Sequence, residues 1–229
     1  MPGPLDGEKK VVTTFDGSQT IKFSGTNIVF HSIYGAVQES EYIYIRSGLQ
    51  PLMQAFNEPD VLEVGFGTGL NSFLCYMEAF KQRKKINYHT LDPFPLEAEL
   101  YKLLKYPEFL KQPFLAKQFL RFHSSPHGEM QNIVAHFSFI KYGETLDDFV
   151  FPQPYHCVFF DPFDPVTNPE PWAISNLQKC FDNLHPGGML VTYCCKGQFL
   201  RDLRVVGFQV EKLPGPPGKK EITRASKPF

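Results

Sequence analysis

Val61, Leu62, Glu63 and Val64 form a short apolar run that enters three glycines at alternate positions, Gly65, Gly67 and Gly69, before Leu70 and Asn71 open a helical pattern. A second apolar run, residues 86–91, ends at Asp92. Few folds accept this order. A glycine turn directly after a parallel strand lets backbone amides approach a ligand closely, and an acid at the end of the next strand can accept hydrogen bonds from ribose hydroxyls. The interval between Gly69 and Asp92 matches one crossover helix and its following strand. The stretch therefore predicts a strand–turn–helix–strand unit that holds a nucleotide-like cofactor.

The glycines do not follow the G-x-G-x-x-G phase whose last glycine lets a helix close on a pyrophosphate. The E-x-G-x-G-x-G form at Glu63 to Gly69 resembles motif I of class I S-adenosylmethionine methyltransferases. That resemblance implies that Glu63 reaches the ammonium of the cofactor's amino acid part. It also implies that Gly65, Gly67, Thr68, Gly69 and Asn71 cradle the cofactor.

A chain of 229 residues with 42% hydrophobic content can bury the core of one α/β domain. We divide it into an N-terminal β-hairpin and helix extension, residues 1–58, and a methyltransferase unit, residues 59–229. The formal net charge of -1 excludes a strongly basic overall field but allows a local basic face. No apolar run reaches the length of a membrane span, and Met1 to Asp6 lack the charged and apolar regions of a secretory leader, so the expected location is the cytoplasm. Cys75, Cys157, Cys180, Cys194 and Cys195 show no C-x-x-C spacing, which fits a reducing compartment. Cys194 and Cys195 read as small buried hydrophobes rather than as zinc ligands with His156 and His185, and no metal is expected.

Residues 11–15, 20–23 and 28–30 read as short strands separated by Asp16-Gly17-Ser18 and Gly25-Thr26, and residues 36–45 as helical. From Asp60 onward, apolar strands at 61–64, 86–91, 133–140, 157–160 and 189–193 alternate with helices over 70–82 and 173–183. Such alternation predicts a mostly parallel, doubly wound sheet. Residues 96–122, rich in Leu, Phe and Lys and broken by Pro107 and Pro113, predict two or three helices over the cleft. Lys102, Lys105, Lys111, Lys117 and Arg121 recur through them, equally consistent with a solvated face and with phosphate contact. His185-Pro186-Gly187-Gly188 reads as a tight turn into the last parallel strand.

Ligands of an open parallel sheet lie beyond the carboxyl ends of its strands. Asp92, Glu144 and Asp161 fall at such ends. Asp92 suits a ribose, and Glu144, after Tyr142-Gly143, can accept the exocyclic amine of adenine. Asp161 begins the proline-braced loop Asp161-Pro-Phe-Asp-Pro-Val-Thr-Asn-Pro-Glu-Pro-Trp172, which presents carboxylates and aromatic rings on a stiff backbone. Methyl transfer to an amine is an in-line displacement at a sulfonium carbon, so the protein must supply alignment and desolvation. A carboxylate that takes the proton of an alkylammonium completes the set. Lys212, Lys219, Lys220, Arg224 and Lys227 concentrate positive charge near the C-terminus, on a segment stiffened by Pro214, Pro216 and Pro217.

From Phe15 onward the chain resembles the methyltransferase half of the MnmC family, bifunctional enzymes of wobble-uridine modification in tRNA. The family's N-terminal signature is matched by Ser32 and Glu39-Ser-Glu-Tyr-Ile-Tyr44, its motif I by Gly65 to Asn71, and its next acid with Phe-Pro-Leu by Asp92 and Phe94-Pro-Leu96. Its loop is matched by Asp161, Phe163, Pro165, Asn168, Pro169 and Trp172, and its closing segment by Gly207-Phe208 and Gly218-Lys-Lys-Glu221. The resemblance implies S-adenosylmethionine as donor and the 5-aminomethyl group of uridine 34 in tRNA as acceptor. It implies Asp161 as the catalytic group, with Glu39, Phe163, Asn168, Trp172, Lys219 and Lys220 on the substrate side. Departures at Glu41, Pro162 and Thr167 also fall on the substrate side. A second glycine fingerprint for a flavin is absent, so upstream steps are expected to belong to separate modification enzymes. The residues leave open another amine substrate or a non-catalytic cofactor-binding subunit. An aminopropyltransferase shares the sheet, but the Asp161 to Trp172 loop argues against it.

Overall fold

The computed structural model describes residues 7–229, so the leader reading at Met1 to Asp6 lies outside the described residues. The chain begins with an antiparallel hairpin of β1 (Lys9–Thr13) and β2 (Gln19–Phe23). A continuous helical segment follows, made of α1 (Ala36–Ser40), a π-helical stretch Glu41–Leu49 and α2 (Gln50–Ala55). Then come β3 (Asp60–Val64), α3 (Leu70–Gln82), β4 (Ile86–Leu91), α4 (Ala98–Tyr101), α5 (Tyr106–Phe109) and α6 (Ala116–Ser124). The last part holds β5 (Gln131–Val134), β6 (Phe137–Tyr142), β7 (Tyr155–Phe160), α7 (Ile174–Asp182), β8 (Leu184–Thr192), α8 (Gly197–Val206), β9 (Gln209–Pro214) and β10 (Glu221–Ser226).

Eight strands make one sheet in the order β5-β6-β4-β3-β7-β8-β10-β9. The inner five, β6, β4, β3, β7 and β8, are parallel, and antiparallel strands close both edges. From β3 the chain builds outward through β4 to β6, then returns to place β7 on the other side of β3. This reversal sets the switch point between β3 and β7, where a ligand crevice opens in sheets of this kind. Both faces are covered, which explains why the inner strands read as nearly continuous apolar runs. Along β3 the strand period sends Val61 to a core with Phe73, Tyr88 and Phe159, and sends Leu62 and Val64 to a core with Val158, Leu177 and Leu203. Each large side chain buried there contributes roughly 1.5–3 kcal/mol.

The N-terminal helical segment lies on the first of these cores, to which it gives Ile43, Tyr44, Leu49, Leu52 and Met53. Gly48 permits the contact: a Cβ there would stand 2.9 Å from Val191 and 3.0 Å from Phe159. The hairpin turn caps the helix from outside. Asp16 Oδ2 accepts the Gln38 N–H at 3.1 Å and Ser18 Oγ accepts those of Ala36 and Val37 at 3.2 Å. These bonds satisfy first-turn amides and complement the helix dipole.

Five sequence expectations are corrected. The helix runs on past residue 45 to Ala55, and residues 28–30 contribute only an isolated bridge between Val29 and Lys22. The run 133–140 is the hairpin of β5 and β6, turning at Ala135-His136; no Gly, Pro or Asn marks the turn, so the apolar pattern hides it. His185 to Gly188 lies inside β8 as an irregularity, with Leu184 opposite Tyr155 and Met189 opposite Cys157. Its outer side is bonded to the C-terminal tail through Gly187 N–H to Lys227 O at 2.9 Å and Lys227 N–H to Gly188 O at 2.8 Å. Of the segment 96–122, Glu97 reaches the cleft, while α6 packs Phe119 and Phe122 against Phe73, Tyr76 and Phe139. Among the described residues, no helix is long and apolar enough to cross a membrane.

Candidate active site

A cleft of about 1100 Å³ opens beyond the carboxyl ends of β3, β4, β6 and β7. Its floor is the turn after β3. Gly65 has φ 97°, and a Cβ there would stand 2.7 Å from the carbonyl oxygen of Asp161, so only glycine lets the two loops of the switch point touch. Asp161 N–H donates to Val64 O at 3.0 Å, and the amides of Gly65 and Phe66 donate to Leu91 O. Three strand ends are thereby tied at one place, with Gly65, Gly67, Thr68 and Asn71 facing the cleft. Gly69, at φ 71°, caps α3 instead, under Phe66 and His123.

On the β4 side, Asp92 is buried. Its Oδ1 accepts the Phe94 N–H at 3.1 Å, and its Oδ2 has no hydrogen-bond partner. Burial lifts its pKa to about 6 against the Phe94 amide and the charge of Lys141, which is itself buried on β6 and donates to Phe122 O and His123 O. An orphaned acceptor at a cleft wall calls for a donor from a ligand, and a ribose hydroxyl meets that need. Glu144, exposed, lines the same end beside Thr145 and Leu146.

On the β7 side, Asp161 Oδ2 accepts Asn71 Nδ2 at 2.9 Å, and the Tyr44 hydroxyl lies beside it. Burial raises its pKa to about 7, the negative charge of Glu39 adds to the rise, and the bonds from Tyr44 and Asn71 oppose it. Glu39 is held by the Ser32 N–H at 2.7 Å on one oxygen and by Lys219 Nζ at 3.2 Å on the other. That ammonium also sits 4.7 Å from the centre of the Tyr193 ring. Phe163 and Asn168 line this end, with Phe163 meeting Phe30 edge-on at 4.8 Å.

The cleft thus gathers Glu39, Gly65, Gly67, Thr68, Asn71, Asp92, Glu144, Asp161, Phe163, Asn168 and Lys219. Four expected residues lie off it. Glu63 is fully buried in mid-strand, turned toward α3, with Oε2 accepting Ser72 Oγ and Thr90 Oγ1. Gly69 is a helix cap. Trp172 braces the loop from behind, its indole N–H donating to Phe163 O at 2.8 Å and its rings packed on Phe160 and Phe199. Lys220 is exposed outside the cleft. Most of the C-terminal charge is also spent inside the protein: Lys212 pairs with Glu221, Arg224 with Glu211, and Lys227 donates to carbonyls at the end of α7.

Sequence reasoning missed His31, Phe30, Tyr44 and Tyr193. His31 lines the cleft, shares a 3.0 Å hydrogen bond with Thr20 and is kept neutral by burial, which lowers its pKa to about 4. Tyr44 closes the N-terminal signature, but no local pattern marks the others: Phe30 and His31 follow the hairpin, Tyr193 follows β8, and all meet only in the fold. Ser32 beside Glu39 in the N-terminal signature was the available signal.

A switch-point cleft with a glycine floor, an orphaned acid at the second strand end and a half-buried carboxylate at the fourth resembles that of class I S-adenosyl-L-methionine-dependent methyltransferases. Residues 127–228 match the family described as S-adenosyl-L-methionine-dependent methyltransferase. The chain is homologous to MnmC proteins: it is 26% identical over 94% of its length to the tRNA 5-methylaminomethyl-2-thiouridine biosynthesis bifunctional protein MnmC of Actinobacillus pleuropneumoniae serotype 5b (strain L20). It is 28% identical over 86% of its length to the MnmC of Pseudomonas fluorescens (strain Pf0-1). The chain spans about a third of the length of these curated relatives, 35% and 31%. In fold it is similar to MnmC2 from Aquifex aeolicus, with a TM-score of 0.80, 23% identity, and coverage of 99% of this chain and 74% of that one. Spermidine synthase from Thermotoga maritima shares the sheet at a TM-score of 0.52 and 15% identity, covering 91% of this chain and 65% of that one.

Proposed function

We propose that this protein is a cytoplasmic enzyme that methylates the 5-aminomethyl group of wobble uridine 34 in tRNA, on tRNA prepared by separate modification enzymes. The observation that carries the reading is the Asp161 carboxylate, half-buried at the switch point and braced by Asn71, in the same cleft as the glycine floor and the orphaned Asp92 oxygen. The names of the homologous MnmC proteins, which specify 5-methylaminomethyl-2-thiouridine biosynthesis in tRNA, supply the substrate class.

S-adenosyl-L-methionine, when bound, supplies a methyl group on a sulfonium sulfur. Gly65, Gly67, Thr68 and Asn71 form its floor, Asp92 accepts from a ribose hydroxyl, and Glu144 accepts from the adenine amine. Asp161 takes the proton of the arriving alkylammonium. From an ordinary alkylammonium pKa near 10 to a carboxylate at about 7, that transfer is uphill by about 4 kcal/mol, and desolvation of the ammonium reduces the gap. Phe163 offers a ring for the base, Asn168 a hydrogen bond, and the exposed Lys220 a contact to phosphate. The segment 1–58 serves the unit 59–229, since Glu39 and Tyr44 reach the substrate end from its helix.

The test is methyl transfer from labelled S-adenosyl-L-methionine to tRNA carrying 5-aminomethyluridine, read by nucleoside mass spectrometry. Gain of one methyl on that nucleoside is the expected result, and an unchanged nucleoside profile overturns the substrate assignment.

A further inference from the structure

The strand period that keeps Glu63 out of the cleft sets it among polar groups of β4 and α3. Its Oε2 is satisfied by Ser72 Oγ at 3.2 Å and Thr90 Oγ1 at 2.7 Å. Its Oε1 has no partner, and neither have Asn71 Oδ1 and the Tyr88 hydroxyl, although Asn71 and Tyr88 both lie within hydrogen-bonding reach of Glu63. At the other end of the Asn71 amide, one of the two Nδ2 hydrogens is given to Asp161 Oδ2. Oδ1 is left for Glu63.

With Glu63 ionised, Oε1 can draw on the Tyr88 hydroxyl and on the second Asn71 Nδ2 hydrogen, but nothing donates to Asn71 Oδ1. Buried acceptors without donors are costly. One proton on Oε1 removes the deficit: Oε1–H donates to Asn71 Oδ1, and the Tyr88 O–H donates to Oε1. We propose that Glu63 is a neutral acid that positions Asp161 through Asn71, fixing the amide so that Nδ2 points at the carboxylate that receives the substrate's proton. The role rests on the reading of Asp161 as that acceptor. It replaces the cofactor contact expected from the sequence.

The surroundings agree. Burial raises the Glu63 pKa to about 8, helped by the charge of Asp161, against hydrogen bonds from Thr90, Asn71 and Tyr88. The groups that face it are Tyr88 and Thr90 from β4, Asn71, Ser72 and Cys75 from α3, and Asp161 from the loop after β7. Cys75 and Tyr88 are pushed well above their ordinary ranges by burial and stay neutral. Asp161 is therefore the one charge in this set, and a neutral Glu63 spares the site a second carboxylate beside it.

The experiment compares the full chain with Glu63→Ala and Glu63→Gln by calorimetry with S-adenosyl-L-methionine, by steady-state methyl transfer over pH, and by infrared detection of a protonated carboxyl. Glu63→Ala is expected to lower kcat about tenfold or more while cofactor affinity stays within about threefold. Glu63→Gln is expected to restore kcat to within about threefold, because its amide N–H replaces Oε1–H while its oxygen still accepts from Ser72 and Thr90. In the unaltered protein the rate falls on the alkaline side as Glu63 ionises near pH 8, and Glu63→Gln removes that limb. A Gln variant as slow as the Ala variant, or one that loses cofactor affinity about tenfold, overturns the proposal. If the Ala variant does not fold, the pH limb and the infrared band decide: a carboxylic acid band at neutral pH that disappears in Glu63→Gln supports it, and absence of that band overturns it. Failure of all methyl transfer to tRNA would instead overturn the substrate reading, while the infrared band would still report the state of Glu63.

Discussion

Asp161→Asn is expected to make the protein more stable and the enzyme slower. In the folded chain the Asp161 pKa rises from 3.8 to about 7, chiefly through burial. At about 1.4 kcal/mol for each pH unit, that rise bounds the cost of the ionised carboxylate at about 4 kcal/mol. The cleft is open to water, which lowers the cost, and the Asn side chain keeps an oxygen to accept Asn71 Nδ2, so the expected gain is about 1–3 kcal/mol. For a chain of this length each kcal/mol moves Tm by roughly 2–4 °C. The sign of the pH dependence is fixed. Between about pH 4 and pH 7 the folded state holds a proton that the unfolded chain has lost, so the unaltered protein loses stability as pH rises through that window. The Asn variant lacks this loss. Urea unfolding across the window should show curves that meet near pH 4 and separate to a constant gap above pH 7. Turnover should fall about 10²-fold or more, with cofactor affinity within a few fold. A variant less stable at pH 8, a gap that ignores pH, or near-normal turnover refutes the reasoning.

Asp92→Ala should weaken S-adenosyl-L-methionine binding by about 1.5–3 kcal/mol, the range for hydrogen bonds to charged groups, and undiminished affinity in calorimetry removes the ribose assignment. Since burial holds Asp92 at about 6, affinity in the unaltered protein should decline below about pH 6, a decline that Asp92→Asn should flatten. Asp16→Ala should cost about 1–2 kcal/mol in denaturant unfolding at neutral pH, through lost capping of α1. Burial opposes the Asp16 charge, but hydrogen bonds from Ser18, Thr14 and Gln38 outweigh it and lower the pKa. Its contribution is therefore complete above 3.8 and lost as pH falls through the lower folded value, so a cost that persists in strong acid would contradict the cap. Lys220→Ala should flatten the salt dependence of tRNA binding by about 0.7–0.9 log unit if it meets one phosphate, leaving cofactor affinity unchanged. An unaltered slope would move that contact to the Lys-rich segment 102–121.

The parallel sheet was legible because its strands are buried on both faces and its turns are marked. Residues 70–82 and 86–91 read as a helix and a strand, and the fold places α3 and β4 there. The hairpin of β5 and β6 was not legible, since Ala135-His136 turns without a turn residue, and the extension of the N-terminal helix was masked by a π-helical stretch that breaks the 3.6-residue period. In the site, residues at strand ends were found and residues that arrive from elsewhere were not. Tyr44 and Tyr193 reach Asp161 from the N-terminal helical segment and from the residue after β8, a meeting no local pattern encodes. The C-terminal charges show how a run along the chain disperses in space: Lys212, Arg224, Lys219 and Lys227 go to Glu221, Glu211, Glu39 and the end of α7.

Of the acids in the functional reading, Asp92, Asp161 and Glu63 sit differently on their strands. Asp92 and Asp161 stand one residue past the last residue of β4 and β7, where the pleat ends and a carboxylate can face a ligand. Glu63 stands one residue before the end of β3, and the pleat turns it beneath α3. Burial raises all three pKa values, but the two at strand ends have lysines within electrostatic reach, Lys141 for Asp92 and Lys219 for Asp161. No lysine opposes the rise at Glu63, whose counter-groups are hydroxyls and amides. An acid with a nearby cation can remain ionised at modest cost and meet a ligand; one surrounded by neutral donors and acceptors is more stable with its proton. The sheet register sets Glu63 beside Thr90 and Phe159, inside the sheet.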